Sequence, residues 1–252
     1  IRGFTSISER LSPQELVSFI NEYLTGMTEV ILEHRGTVDK FIGDAIMAGF
    51  GIPIAHDDDE DRAIRAAVSM ITALNKWNSH RAAEGKKPVD MGIGLNTDVV
   101  VSGNIGSPKR MDYTMIGDGV NLAARLESAC KQYSARILIS KNTYKKLRGT
   151  YRIREIDRVI VKGKTEPVGI YEVLDYHTEN SFPNLMEVVN HFKSGLAHYR
   201  ERRWDKATKA FKEALNLNQA DKLSQIYVER CQQLKKRPPG DDWNGVWVME
   251  SK

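Results

Sequence analysis

The chain has 252 residues, of which 41% are hydrophobic and 28% charged, with a formal net charge of +4. This is length enough for one large domain, or a large and a small one, around a buried core, and the composition excludes wholesale disorder. The longest weakly polar run, Ala45 to Ala55, is broken by Gly49, Gly51 and Pro53, far short of the roughly 20 apolar residues a membrane span needs.

No signal-peptide pattern opens the chain, and Ile1 reads as the start of a fragment. The two cysteines, Cys130 and Cys231, rule out a cysteine-built metal site and suit a reducing, cytoplasmic setting better than a disulfide framework. Positive charge gathers between residues 190 and 240, where Lys and Arg exceed Asp and Glu by seven. Solvated helix faces commonly carry such a surplus, so no nucleic-acid role is expected.

Ser12-Pro13-Gln14-Glu15 opens a helix, with Ser as N-cap, Pro first and Glu third. Leu16, Ile20, Leu24, Met27, Val30 and Ile31 keep its spacing of three and four, and Gly36 is expected to end it. Residues 37–42 and 45–50 read as two strands joined at Gly43-Asp44. A second helix runs from Asp59 to Ala83. Residues 91–95 and 99–101 read as strands, and Gly117-Asp118-Gly119 as a tight loop feeding a helix from Val120 to Gln132. Strands around 137–139, 151–161 and 169–174 complete an α+β domain.

From about Phe182 the pattern changes. Gly195, Tyr199, Trp204, Ala207, Phe211 and Ala214 have the small/large spacing of a tetratricopeptide repeat (TPR), with Gln219 in place of the usual closing Pro. One repeat cannot bury its own face, so a helix over 221–235 or the preceding domain must cover it. Beyond Pro238-Pro239-Gly240, the tail carries Trp243 and Trp247, both expected to dock. The expected division is 1–175, 182–236 and 237–252.

Three stretches carry chemistry: Ile1-Arg2-Gly3-Phe4-Thr5, Asp39-Lys40-Phe41-Ile42-Gly43-Asp44, and Asp112 to Arg125, with Val161-Lys162-Gly163-Lys164 behind them. Asp44, at a hairpin tip, offers a hard oxygen donor suited to Mg²⁺ or Mn²⁺. Lys40 can only donate a hydrogen bond and Thr114 can accept one, a pair that complements the N1 acceptor and N6 donor of adenine. Asn121 and Arg125, four apart, share one face of a helix. The six histidines show no ligand spacing, and Asp57-Asp58-Asp59-Glu60-Asp61 reads as an exposed acidic loop and helix start.

These segments, in this order, resemble the class III nucleotidyl cyclases, above all the soluble adenylyl cyclases of the cyanobacterial type, over Ile1 to about Val173. The resemblance implies a ferredoxin-like βαββαβ core and an Mg²⁺- or Mn²⁺-dependent lyase that closes ATP into cyclic AMP and pyrophosphate for signalling. It implies a head-to-tail homodimer with two composite sites. Asp44 and the Ile1 backbone carbonyl would hold two metal ions, together with an Asp immediately before Ile1. Gly3, Phe4 and Thr5 would offer backbone N–H groups to phosphate. The partner copy would supply Lys40, Thr114 and the Met115 backbone for the base, Asn121 for the ribose, Arg125 for the transition state and Lys162 for the triphosphate. Guanylyl cyclases of the family place Glu at the Lys40 position, and Thr114 is similar to a bicarbonate-responsive subgroup. The rival readings are a non-catalytic nucleotide-binding regulator and an adaptor in which the helical repeat recruits a protein partner.

Overall fold

The computed structural model describes residues 1–159, 167–240 and 243–246; the expected strand end at 160–161, Lys162 and Trp247 lie outside them. A short helix α1 (Phe4–Ser8) precedes α2 (Pro13–Glu33). The α2 start is a full capping box: Glu15 N–H donates to Ser12 Oγ at 3.3 Å and Ser12 N–H to Glu15 Oε2 at 2.9 Å. Phe19, Tyr23, Met27 and Ile31 bury its inner face. Gly36 does not end the helix by its own conformation; Arg35 takes the positive φ of 58°. Gly36 is needed for space, because a Cβ there would come within 2.7 Å of the Ile31 and Phe50 side chains.

Strands β1 (Thr37–Ile42) and β2 (Ala45–Gly49) form an antiparallel hairpin around Gly43-Asp44. Helix α3 (Asp59–Ala83) follows, and its acidic start is not the exposed run expected. Asp58 and Asp59 pair with Arg62. Asp61 is buried, accepting from the backbone N–H groups of Arg148 and Gly149 and from the Tyr151 hydroxyl.

Strand β3 (Ile93–Leu95) is shorter than expected. Residues 99–101 do not form a separate strand: β4 (Val101–Ser107) begins where that strand was expected to end, and pairs antiparallel with β5 (Arg110–Ile116). Helix α4 (Asp118–Gln132) starts two residues early. Then come β6 (Ile137–Ser140), a short unexpected α5 (Lys141–Lys146), β7 (Ile153–Val159) and β8 (Val168–Val173).

Among the described residues the strands make a four-stranded sheet, β3-β6-β8-β7, and two separate hairpins, β1-β2 and β4-β5. The helix–hairpin–helix–strand order of α2-β1-β2-α3-β3 follows the expected βαββαβ pattern from its first helix onward. The hairpin does not join β3, which pairs in parallel with β6. The fold is mixed α+β.

The C-terminal helices α6 (Leu185–Arg200), α7 (Trp204–Leu217) and α8 (Lys222–Lys236) pack consecutively. A Cβ on Gly195 would fall 2.6 Å from the Phe211 ring, so the glycine lets α6 and α7 meet closely. Both expected covers exist. Tyr227 of α8 packs against Phe192, Tyr199 and Phe211, and those aromatics share one core with Leu122, Leu126, Tyr133, Ile156 and Ile170.

Polar contacts lock the helices onto β7. Arg154 donates to Glu172 at 2.7 Å and to Asp221 at 2.9 and 3.1 Å, with all three side chains at most 5% exposed. Burial opposes the Arg154 charge, but Glu172 and Asp221 outweigh it and hold its pKa above the ordinary value. Asp157 accepts from the Tyr133 hydroxyl at 2.6 Å and from Arg230 at 2.7 Å, and the Tyr227 hydroxyl donates to the Ile156 carbonyl at 2.5 Å. Trp243 docks as expected, edge-on to Tyr199 and Trp204 with Arg202 over its ring. Both cysteines are buried free thiols; burial pushes Cys130 up to about 12 and Cys231 to about 11. No helix among the described residues is long and apolar enough to cross a membrane.

Candidate active site

Asp44 sits at the tip of the β1–β2 hairpin with its side chain 24% exposed, and the Ile1 α-ammonium donates to its Oδ2 at 2.6 Å. The first residues are tied down from a distance. Arg2 N–H donates to the Asp90 carbonyl at 2.8 Å, and the Arg2 guanidinium donates to the Asp90 carboxylate at 2.7 Å and to the Cys130 and Ala135 carbonyls. Ile1, Phe4 and Ile7 pack against the core beneath α2 and α3. Gly3, at φ 65° and ψ 26°, turns the chain into α1. A left-handed residue followed by helical ones points successive N–H groups the same way, the geometry of an anion nest over Gly3, Phe4 and Thr5.

A second cluster lies where β1 meets β5. The β1–β2 register shifts between Val38 and Lys40, a bulge that leaves Asp39 unpaired; bulges re-aim side chains in this way. Asp39 reaches β5, where its Oδ2 accepts the Thr114 hydroxyl at 2.7 Å and the Met115 N–H at 2.9 Å. Its Oδ1 lies 3.7 Å from Lys40 Nζ. Lys40, Thr114 and Met115 are therefore brought together in one copy by Asp39, a residue to which the sequence reading gave no role. Arg2 was missed likewise. Both stand inside the recognised stretches, but nothing local reveals partners that are 75 and 88 residues away.

Helix α4 positions Asn121 and Arg125. Leu122, Leu126 and Ala129 bury its inner face, and it lies so close over β3 that a Cβ on Gly94 would overlap the Ala123 carbonyl and the Glu127 N–H. Asn121 and Arg125 lie on its exposed flank. The first turn of α4 is fixed by Asn96, whose amide donates to the Gly119 carbonyl at 2.9 Å.

The structure thus gathers Ile1 with Asp44, and Lys40 with Thr114 and Met115, and presents Asn121 and Arg125 from a third element. Large apolar side chains surround these places in the open: Phe41, Ile42, Val101, Met111, Tyr113 and Ile116 are each about half exposed or more.

Residues 1–174 match the adenylate and guanylate cyclase catalytic domain. The chain is 35% identical over 236 residues to the terminal-differentiation-specific adenylate cyclase of Dictyostelium discoideum, covering 92% of this chain and 11% of that protein. It is 42% identical over 180 residues to an adenylate cyclase of Anabaena cylindrica, covering 69% and 35%. Among solved structures, the adenylyl cyclase CyaB from P. aeruginosa superposes with a TM-score of 0.64 at 39% identity, over 69% of this chain and 89% of that one. The guanylyl cyclase Cya2 does so with 0.63 at 42% identity, over 69% and 87%. The chain spans about a third or less of the length of these two curated relatives. With its catalytic-domain match running from the first residue through β8, the chain belongs to the adenylate and guanylate cyclase catalytic domain family.

Proposed function

We propose that this chain is an adenylyl cyclase domain that converts ATP to cyclic AMP and pyrophosphate at sites shared by two copies. The observation that carries the reading is the Lys40–Thr114 pair drawn together through Asp39. A donor and a hydroxyl fixed side by side match the N1 and N6 edge of adenine. In guanylyl relatives a Glu at the Lys40 position would meet the guanine edge instead. Both kinds of cyclase superpose on this chain, so the choice of base rests on these side chains.

Cyclases of this family use divalent metal ions. Asp44 suits one: its carboxylate stands at the hairpin tip beside Ile1 and is partly open. No three His, Cys, Asp or Glu residues converge among the described residues, so the ion would be held by Asp44, the Ile1 carbonyl, the carboxylate expected before Ile1 and the substrate's own phosphates. Two Mg²⁺ or Mn²⁺ ions there would favour ionisation of the ribose 3′ hydroxyl and offset the triphosphate charge. The Gly3–Thr5 N–H groups and Lys162 bind phosphate oxygens. Asn121 orients the ribose, and Arg125, always charged and with several directed donors, supports the phosphorus centre.

Lys40 and Asp44 share one hairpin but have different company: the first stands beside Asp39, which the bulge turns toward β5, while the second stays with Ile1 at the tip. This supports their assignment to two different sites of a head-to-tail dimer, with the exposed apolar side chains of β1, β4 and β5 covered by the second copy. We read α6–α8 as a TPR-like module, its domain boundary near residues 175–182, that braces this catalytic domain.

The test is complementation, in protein carrying the Asp before Ile1. Asp44→Ala and Arg125→Ala are each expected to be inactive with ATP and Mg²⁺ or Mn²⁺. Mixed with subunit exchange, they form heterodimers with one intact site, and about a quarter of wild-type activity returns. A mixture as inactive as its parents after demonstrated exchange would sink the shared-site reading, and wild-type protein that turns over neither ATP nor GTP would sink the catalytic one.

A further inference from the structure

A hydroxyl is an ambiguous reader of a base, because threonine can donate or accept. In this structure the ambiguity is removed. Asp39 is acceptor-only as a carboxylate, so at 2.7 Å the Thr114 hydroxyl must spend its one proton on Asp39 Oδ2. What Thr114 then presents to a ligand is lone pairs alone. The same oxygen holds the Met115 N–H, which fixes the β5 backbone at that point. The other oxygen, Oδ1, is buried without a hydrogen-bond partner, and the Lys40 ammonium stands beside it. The side chain of Asp39 is 4% exposed against 39% for Lys40; Asp39 lies behind Lys40, with Thr114, 7% exposed, packed against it.

We propose that Asp39 is a specificity-determining positioning residue: by taking the Thr114 proton it makes that hydroxyl an obligate acceptor for the 6-amino group of adenine, and excludes purines that carry an oxygen there. The proposal rests on the adenylyl cyclase reading above and extends it to a residue that acts through Thr114 without touching the base.

Asp39→Ala tests the effect. It removes the oxygen that accepts both the Thr114 hydroxyl and the Met115 N–H, so the threonine proton is free to face the ligand. Thr114 can then donate to a 6-oxo purine. ITP is the probe, since it differs from ATP only along the N1 and 6-position edge and lacks the 2-amino group of GTP. The expected result is a fall of about tenfold or more in the ratio of kcat/KM for ATP to that for ITP. It should appear mainly in KM, with ITP use rising in absolute terms. Thr114→Val, measured in parallel, should lower the ratio without raising ITP use, because it removes the acceptor and adds no donor. Parallel losses with ATP and ITP in Asp39→Ala would show that Asp39 only staples β5 to β1, and would overturn the proposal. A Thr114→Val protein with the wild-type ratio would overturn it too, even if Asp39→Ala failed to fold. Wild-type protein inactive with every nucleotide would instead overturn the underlying functional reading, which separates the two failures.

Discussion

The seam between β7 and the C-terminal helices and the surface formed by the β1–β2 and β4–β5 hairpins are both rich in charged and aromatic residues, but they treat them in opposite ways. At the seam, Arg154, Glu172, Asp221, Asp157 and Arg230 are almost fully buried and paired within the one chain. Around the hairpins, Phe41, Ile42, Val101, Met111, Tyr113 and Ile116 stay in the open. Monomeric proteins seldom leave apolar surface of this kind together without a use for it. The seam is finished in one copy, and its chemistry is structural. The hairpin surface carries Lys40 and Asp44, and its exposed apolar side chains ask for a second copy. On the proposed reading, burial and completeness separate structural charges from functional ones here better than charge itself does.

The largest expected effect falls on the hairpin side. Asp44→Ala should lower turnover of ATP by roughly a hundredfold or more, since it removes a side-chain oxygen proposed to hold the metal. Stability should change by about 0.5 kcal/mol or less, as for most surface positions. Steady-state kinetics and urea unfolding on the same preparation check both halves. Near-normal turnover would break the assignment of this surface as the catalytic one.

The seam should respond in the reverse sense. Arg154→Ala leaves Glu172 and Asp221 buried without their partner, and breaking such a pair costs about 3–5 kcal/mol. Turnover per folded molecule, measured below the unfolding transition, should stay close to wild type. Deleting residues 182–252 would take Asp221 from Arg154 and Arg230 from Asp157 and expose Ile156 and Leu126, so the point substitution is the cleaner probe. If Arg154→Ala stays folded and loses its turnover, the helices belong to the catalytic apparatus and the contrast between the regions fails.

How much of this could be read from the sequence follows the same divide between local and distant partners. The α2 capping box, the bounds of α3 and the Gly43-Asp44 hairpin were legible because each is set by residues a few positions apart. The β4–β5 hairpin was not, since side chains on both its faces are exposed and no inside–outside alternation marks it. The candidate site residues Asp44, Lys40, Thr114, Asn121 and Arg125 came from motif resemblance, which marks positions and says nothing about their supports. Asp39 and Arg2 stood in those same motifs, yet their work depends on β5 and on the Ala135 turn, folded against them from far along the chain. Asp61 shows the converse: an acidic run that reads as solvated hides one carboxylate that clamps residues 148–151.

The smallest effect comes from the end of the seam, where His177 joins the catalytic domain to the helices. Its ring is half-buried between Tyr176 and Phe182, with Nδ1 3.1 Å from the Ser181 hydroxyl. Burial first, and then the positive charges of Arg136, Arg154 and Arg152, push its pKa down to about 4 from the ordinary 6.5, with Asp221 opposing. The folded protein therefore refuses a proton that the unfolded chain takes up between those values. Stability from this group is complete above pH 6.5 and is lost as pH falls toward 4. Solvent reaches part of the ring and screens the charges, so the loss between pH 7.5 and pH 5 should be about 1 kcal/mol. Gln keeps a polar side chain and cannot take the proton. His177→Gln should thus lose about 1 kcal/mol less than wild type over that interval, a difference that urea unfolding at the two pH values can read. Equal losses in the two proteins would mean that the arginines gathered at the seam do not act on His177, and that this end of it is open to solvent like the hairpin surface.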